Sequence, residues 1–282
     1  MIKITADSTA DLCYLFKQKN IPVMPLCIVL DGHDCLDGID ITPELMFEAY
    51  RHKGIWPKTA AAGPDSYVEF FNSNKGENDT IIHFCISNEL SLSYQNAKTA
   101  AQEVGNVFVI DSRTLSSGIG LLVLKTIDLV NQGHSVHQII KTIEELAKFP
   151  QTSFVVSTLE FLHKGGRASG LQKFFAGVLK IRPVLQLVDG KIVAARKYKF
   201  TNYSKSVLKY VEETLLLYNT PDYSRIMITH TGVEDELIEQ VKQLIKEKAP
   251  NFAEILVTRA GCSVTTHCGP GTMGILYINK PN

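Results

Sequence analysis

The chain has 282 residues, 45% of them apolar and 21% charged, which is the balance of a globular protein long enough for two domains. Its 29 lysines and arginines equal its 29 aspartates and glutamates, so no excess charge favours binding to nucleic acid or to an acidic membrane. No run reaches the ~18 apolar residues that span a bilayer, and the N-terminus lacks the apolar core of a signal peptide. We therefore expect a cytoplasmic protein that does not bind nucleic acid.

The six cysteines do not follow a metal-binding or disulfide pattern. They are Cys13, Cys27, Cys35, Cys85, Cys262 and Cys268, and no two of them form a CxxC pair. Cys85 lies inside an apolar stretch, where we expect a small core residue. Cys268 follows His267, and a reactive thiol there is an alternative, although the spacing identifies no partner base. The sequence therefore predicts no metal site.

The first half of the chain alternates short apolar runs with amphipathic stretches, which is typical of a parallel sheet flanked by helices. The predicted strands cover residues 2–6, 23–30, 80–87 and 107–111, and the predicted helices cover 43–52, 65–74, 91–104 and 118–131. Ligands of such α/β sheets sit at the carboxyl ends of the strands. Asp7, Ser8 and Thr9 follow the first strand, where they either cap the next helix or contact a ligand.

A domain boundary is predicted at Phe149-Pro150, after a helix over residues 137–147. It gives an α/β domain over 1–150 and a second α/β domain over 151–282, with some exchange of segments between the two left open. The second half has predicted strands over 153–157, 184–188, 192–195, 226–230 and 255–258, and predicted helices over 158–163, 203–218 and 234–248. Asp189-Gly190 is a hairpin signal between two of these strands.

Near the C-terminus the chain reads His267-Cys268-Gly269-Pro270-Gly271, followed by an apolar run. The glycines let the backbone turn and approach a ligand closely, and the proline stiffens the turn. An imidazole held at the mouth of this turn is able to donate to an anion, accept a proton or bind a metal. An incidental histidine beside an ordinary turn is the alternative.

Three further loops carry polar residues at positions where a ligand is expected. Thr59 is the only hydroxyl in a small-residue loop, Ser91 precedes a helix, and Arg167 follows two glycines that end a helix. A solvated threonine, a helix cap and a solvated charge are the ordinary alternatives. Together with the free N–H groups of a helix start, these side chains bind an anion well but include no activated nucleophile. The sequence therefore predicts a binding site and no catalytic residue.

These motifs, taken in chain order, resemble the DegV family almost end to end. They comprise Asp7-Ser8-Thr9, Val23-Met24-Pro25-Leu26, Pro57-Lys58-Thr59, Leu90-Ser91-x-x-Tyr94-Gln95, Val109-Ile110-Asp111-Ser112, Gly165-Gly166-Arg167, Ile181-Arg182-Pro183 and His267-x-Gly269-Pro270-Gly271. Many members of the family resemble the fatty-acid-binding subunit of bacterial fatty acid kinase. The resemblance implies a two-domain α/β protein that holds a long-chain fatty acid in a site between its domains.

By the same resemblance, Thr59, Ser91 and His267 bind the carboxylate of the ligand, with Gly269 in the histidine loop, and Arg167 couples the protein to the kinase. The protein then performs no chemistry alone and uses no cofactor. It presents the carboxylate to a separate ATP-dependent kinase, which forms an acyl-phosphate for phospholipid synthesis. We expect a protonated His267 to hold the carboxylate by charge-assisted hydrogen bonds.

The chain departs from the family pattern at Ala60, where the family has a serine, and at Leu92, where it has a glycine. The main alternative is therefore a binding module for another amphiphile, not coupled to a kinase. A third interpretation is an enzyme acting on acyl or phosphate groups, with His267 as the base or Cys268 as the nucleophile. The amphipathic stretch over 171–180 either covers the acyl tail, contacts a membrane transiently during lipid exchange, or forms a plain core helix.

Overall fold

The computed structural model describes residues 1–167, 171, 181–199, 202–217 and 220–281, which form three β-sheets packed with helices. The strands are β1 (Ile2–Asp7), β2 (Val23–Met24), β3 (Cys27–Leu30), β4 (His33–Leu36), β5 (Lys58–Ala60), β6 (Thr80–Cys85), β7 (Val107–Asp111), β8 (Pro150–Val155), β9 (Arg182–Val188), β10 (Lys191–Tyr198), β11 (Pro221–His230), β12 (Glu254–Arg259) and β13 (Met273–Asn279). The helices are α1 (Cys13–Gln18), α2 (Pro43–Lys53), α3 (Pro64–Asn74), α4 (Ser93–Val104), α5 (Ser117–Asn131), α6 (Val136–Leu146), α7 (Glu160–Lys164), α8 (Tyr203–Leu217), α9 (Asp235–Lys248) and α10 (Cys262–Cys268), and a short 3-10 helix spans Ser8–Ala10.

The first sheet is parallel, with the strand order β2-β1-β6-β7. Alternate residues of its strands face opposite layers of helices, because side chains of a strand alternate between the two faces of the sheet. Ile4, Ile82 and Phe84 pack in the core around α5 and α6, whereas Ile81 and Cys85 pack with α3 and α4. The predicted parallel sheet flanked by helices is confirmed, and so is the core position of Cys85.

The second sheet has six strands in the order β10-β9-β8-β13-β11-β12, and β11 and β12 form its parallel pair. Helices α8 and α9 cover one face, where Tyr210 and Val241 are buried. On the other face, Met227 and Leu276 join the core around α5. Helix α5 is therefore buried between the two sheets, which explains why its sequence is apolar on nearly every side.

The third sheet is antiparallel, with the order β4-β3-β5. The single strand predicted over 23–30 is wrong, because β2 and β3 belong to different sheets. Pro25 stands at this break, and a proline has no backbone N–H to continue a ladder. Part of the loop predicted at 57–64 is strand β5, in which Thr59 pairs with Ile28.

Two local predictions in the second half are confirmed, and one is wrong. Asp189 and Gly190 form the turn between β9 and β10, and both have positive φ. The short helix predicted over 158–163 is found as α7. His267 does not lie at the mouth of a turn, because the residues before that turn form α10 and His267 is in its last turn.

The division of the chain into domains at residue 150 stays a prediction; strand β8 begins at this residue. The amphipathic stretch over 171–180 lies outside the described residues, except for Leu171, which is buried. None of the described helices is long and apolar enough to cross a membrane.

Candidate functional site

A cavity of about 210 Å³, partly open to solvent, is lined by residues of β5, of the loop before α4 and of α10. Much of its wall is apolar. The larger aliphatic residues of the wall include Leu26, Ile86, Leu90, Leu115, Ile192 and Val264. Four of the five predicted site residues also line it, namely Thr59, Ser91, Arg167 and His267. The fold thus brings together side chains that lie far apart in the chain.

Thr59 and His267 form a hydrogen-bonded pair in the cavity wall, with 2.9 Å between Thr59 Oγ1 and His267 Nε2. The other ring nitrogen, Nδ1, is buried and has no hydrogen-bond partner among the described residues. It lies so close to Gly165 that a Cβ at that position would collide with it. A proton on Nδ1 would be a buried, unpaired donor, so the favoured tautomer carries its proton on Nε2 and donates it to Thr59. The Thr59 hydroxyl proton is then left for a ligand oxygen.

Burial favours the uncharged form of the His267 imidazole. Burial, together with the nearby charge of Arg167, lowers the pKa of its imidazole to about 3. This low pKa argues against the expected protonated histidine, and the charge of His267 beside a bound carboxylate stays a prediction. The ring is able to orient the Thr59 hydroxyl but supplies no charge of its own.

His267 and Cys268 do not form an activated base and nucleophile, although they are adjacent in the chain. Burial raises the pKa of the Cys268 thiol to about 12, with a smaller contribution from the charge of Asp11. The thiolate, which is the nucleophilic form, is therefore suppressed at neutral pH. This argues against the enzyme interpretation.

Arg167 carries the only permanent charge among the described residues that line the cavity. Its guanidinium donates to the carbonyl of Gly165 at 2.9 Å and to the carbonyl of Leu90 at 3.1 Å. Desolvation of this half-buried group holds its pKa below the usual range. The solvated-charge interpretation is therefore wrong, because Arg167 ties the end of α7 to the loop that leads to Ser91.

Ser91 lies just before α4 and faces both the helix and the cavity. Its Oγ accepts from the backbone N–H of Ser93 at 3.2 Å and lies 3.0 Å from Ser93 Oγ. Ser91 thus contacts the first turn of α4 but is not its N-cap, which is Leu92, so the helix-cap alternative is wrong; Ser91 also lines the cavity. Leu92 lines the cavity as well and is 66% exposed, so an apolar side chain stands at the rim.

Gly269 is not among the described residues that line the cavity. It follows α10 with a φ of +73°, and a Cβ there would lie 2.6 Å from the Phe161 ring. Its carbonyl accepts from the Thr231 hydroxyl at 2.6 Å. A glycine is therefore required for the close approach of Phe161, and the role of Gly269 in ligand binding stays a prediction.

The polar residues Asp7, Ser8 and Thr9, at the end of β1 and just after it, do not cap a helix through their side chains. Asp7 Oδ1 instead accepts from the Tyr67 hydroxyl at 2.8 Å and lies 3.2 Å from His83 Nε2 in the interior. Thr9 lines the cavity, as the ligand-contact alternative expects. The short sequence Asp7-Ser8-Thr9 therefore serves both the core and the cavity.

Ser263 also lines the cavity, one helical turn before His267, and no sequence motif marks it as a site residue. The four-residue spacing places both side chains on one face of a helix, but this signal is useful only once α10 is known to be helical. The loop after β4 supplies the cap of this helix. Asp37 accepts the backbone N–H of Cys262 at 2.8 Å and that of Ser263 at 3.0 Å.

Among the described residues, Asp7, His83 and Cys85 place a carboxylate, an imidazole and a thiol within 4.8 Å of one another, a set that is able to hold a metal ion. In the structure the carboxylate and the imidazole are hydrogen-bonded instead. His83 contacts Thr5 at 2.8 Å and Asp7 at 3.2 Å, and Tyr67 donates to Asp7. The cluster is fully buried, and its geometry is explained by these hydrogen bonds.

The family model that describes DegV as an uncharacterised protein family matches residues 1–280. A relative named fatty acid-binding protein, from Thermotoga maritima, is 29% identical over 97% of this chain and 96% of its own. The structure of a DegV family protein from Thermus thermophilus, described by its fatty acid binding, is 30% identical, covers 99% of both chains and has a TM-score of 0.86. The B3 protein of the Streptococcus pneumoniae fatty acid kinase, loaded with linoleic acid, has a TM-score of 0.85 over 99% of this chain and 100% of that one; at 23% identity it shows the fold alone.

Proposed function

Because the chain belongs to the DegV family, we propose that it binds a long-chain fatty acid in the cavity and presents the carboxylate to a separate ATP-dependent kinase in the cytoplasm. That kinase forms an acyl-phosphate for phospholipid synthesis. The observation that carries the proposal is the Thr59–His267 pair, which leaves a hydroxyl proton available in the wall of a largely apolar cavity.

The acyl tail supplies the affinity in this proposal. Burial of about 14 methylenes contributes roughly 0.8 kcal/mol each, or on the order of 11 kcal/mol before the costs of ordering the chain. The aliphatic wall of the cavity, which includes Leu26, Leu115 and Val264, gives the tail an apolar surface. A head-group site therefore needs only to orient the acid.

The head group is held by hydroxyls rather than by a charged imidazole. Thr59 donates its hydroxyl proton to the carboxylate, while His267 Nε2–H donates to the threonine oxygen and fixes its orientation. Ser91 donates from the opposite loop, and the Arg167 guanidinium supplies the positive charge nearby. Hydrogen bonds to an ionised acceptor are stronger than neutral ones, so two hydroxyls suffice to fix the orientation of the carboxylate.

The kinase is proposed to approach at the rim of the cavity, where Leu92 is exposed and Arg167 is half-buried. The reaction needs ATP and a nucleophilic carboxylate, and the ligand itself provides the nucleophile. No catalytic residue of this chain is therefore proposed.

The alternative is a DegV protein that binds an amphiphile without coupling to a kinase. Ala60 favours it, because the cavity wall lacks a hydroxyl beside Thr59. Transfer of phosphate from ATP to the bound acid by the kinase of the same cell separates the two. Tight binding without transfer supports the uncoupled module.

The first experiment extracts the freshly purified protein with organic solvent and identifies the released molecules by mass spectrometry. We expect a stoichiometric long-chain fatty acid. No released lipid, together with no uptake of added fatty acid, contradicts the proposal.

The second experiment replaces Thr59 by valine, which keeps the shape of the side chain and removes its hydroxyl. Loss of a hydrogen bond to a charged group costs about 1.5–3 kcal/mol, so we expect at least tenfold weaker binding of a long-chain fatty acid. Thr99→Val on the exposed side of α4 is the matched control and leaves affinity unchanged. Equal affinities of the two variants would remove Thr59 from the head-group site.

A further inference from the structure

Two residues that line the cavity carry buried hydroxyls with no hydrogen-bond partner among the described residues. Thr9 and Ser263 are only 3% and 4% exposed, and Thr9 Oγ1 and Ser263 Oγ are both unpaired. Both residues line the cavity. Buried hydroxyls in native proteins are almost always paired, because an unpaired one carries its full desolvation cost. Their partner is therefore expected to come from the cavity.

The two residues belong to one junction of the fold. Thr9 lies in the short 3-10 helix after β1, which packs against α10, and Ser263 lies in the first turn of α10. Ser263 precedes His267 by one helical turn, which corresponds to about 6 Å along the axis. Ser263 is thus one helical turn from His267, and Thr9 belongs to the element that packs against the same helix.

The carboxylate of Asp37, at the start of α10, already accepts hydrogen bonds from other groups. Asp37 Oδ1 accepts the N–H of Cys262, and Asp37 Oδ2 accepts the N–H of Ser263 and the Ser8 hydroxyl. Asp37 therefore accepts from the backbone N–H groups at the start of α10, and the Ser263 hydroxyl does not donate to it.

A plain alkyl chain does not match this part of the wall. Methylenes offer neither a donor nor an acceptor, so an unsubstituted tail would leave both hydroxyls unpaired after it had displaced any water. A hydroxyl or keto oxygen on the chain accepts from one or both of them, and a hydroxyl is also able to donate.

We propose that Thr9 and Ser263 form a second polar subsite and that the preferred ligand is an oxygenated fatty acid, with a hydroxyl or keto group a few carbons from the carboxylate. This inference rests on the proposed function and names the ligand class of the same cavity. A site built to hydrogen-bond a ligand oxygen discriminates against the analogue that lacks it, since its own buried groups are then left unpaired.

The test compares hexadecanoic acid with two hydroxyhexadecanoic acids in a competition assay on the full chain. One carries the hydroxyl near the carboxylate, and the other carries it at the end of the tail. We expect the first to bind about tenfold more tightly than hexadecanoic acid, which corresponds to one good hydrogen bond, and the second to show no gain.

Two variants locate the effect. Ser263→Ala and Thr9→Val each remove one hydroxyl with little change of shape, and each should reduce the preference for the hydroxy acid to about threefold or less. Thr126→Val is the matched control, because its buried hydroxyl bonds within α5 and lies outside the cavity, and it should keep the preference. The two variants are independent, so one remains informative if the other fails to fold.

The outcomes separate the two proposals. If hexadecanoic acid binds tightly and the hydroxy acids gain nothing, the polar subsite is wrong and fatty acid binding stands; the same holds if the variants keep the preference. If none of the three acids binds, both proposals are wrong. A stoichiometric hydroxy or keto acid in the solvent extract would support the subsite directly.

Discussion

Two buried polar regions of this protein, the cluster around Asp7 and the wall of the cavity, differ in how many of their polar groups are hydrogen-bonded within the protein. Beneath α3 and α4, Asp7 is joined to Tyr67 at 2.8 Å and to His83 at 3.2 Å, and His83 is joined to Thr5 at 2.8 Å. Asp7 Oδ2 is the exception and has no partner among the described residues. Most polar groups of this cluster already have hydrogen-bond partners within the protein, so we interpret the cluster as structural.

The cavity wall shows the opposite arrangement. Thr59 retains a hydroxyl proton when His267 donates to it, and the hydroxyls of Thr9 and Ser263 are unpaired among the described residues. Polar groups that are equally buried thus have different roles, depending on whether they are hydrogen-bonded within the protein. Burial alone therefore does not identify a binding site; polar groups that remain unpaired around a cavity do.

The largest expected effect concerns a second closed cluster, at the base of α10. Asp11 accepts from Ser116 Oγ at 2.5 Å and from the N–H of Gly261 at 2.8 Å, yet burial raises its pKa to about 8. An unfolded aspartate titrates at about 4, so the folded chain holds this proton more tightly between these values. The free energy of unfolding should therefore fall as pH rises from about 4 to about 8, by at most about 5 kcal/mol.

Urea unfolding across this pH range measures that contribution. Asp11→Asn should flatten the decline, because the amide does not titrate, whereas Asp31→Asn on the exposed surface should keep it. If the two variants have the same pH profile, Asp11 does not hold the proton.

The next effect tests whether the Asp7 cluster is closed and structural. Asp7→Ala leaves the Tyr67 phenol and the His83 imidazole without their acceptor, and we expect a loss of about 3 kcal/mol in the free energy of unfolding. Tyr67→Phe removes one donor and keeps the ring, so it should cost only about 1 kcal/mol. Both variants should retain fatty acid affinity when folded; a large loss of affinity without a loss of stability would reverse our interpretation of the two regions.

The smallest expected effect concerns the cavity wall, where His267 orients Thr59. A Cβ at Gly165 collides with His267 Nδ1, so Gly165→Ala should push the ring away from Thr59 and weaken fatty acid binding by about tenfold, or ~1.4 kcal/mol. Gly63→Ala is the matched control, because its Cβ meets no atom within 4 Å. Isothermal calorimetry on both variants decides the point, and unchanged affinity in Gly165→Ala would show that the ring position does not matter.

Local sequence patterns were sufficient for the parallel sheet. The elements β1, β6, β7 and α5 match their predicted bounds within two residues, because each is a nearly continuous apolar run that is buried on more than one face. The break at Pro25 is also a local signal, although it was missed between two runs that each have strand character. The chemistry of the polar loops identifies Thr59, Ser91, Arg167 and His267 as candidates, and the family resemblance supplies their individual roles.

Contacts between residues that lie far apart in the chain cannot be predicted from local sequence patterns. Thr59 and His267 are 208 residues apart, and only the packing of β5 against α10 pairs them. The segment Cys262–Cys268 is rich in residues of modest helix propensity, so its own composition does not predict a helix. It is helical with a cap from Asp37, 225 residues away from Cys262. A helix start needs acceptors for its free N–H groups, and when these come from another part of the fold, no local pattern predicts them.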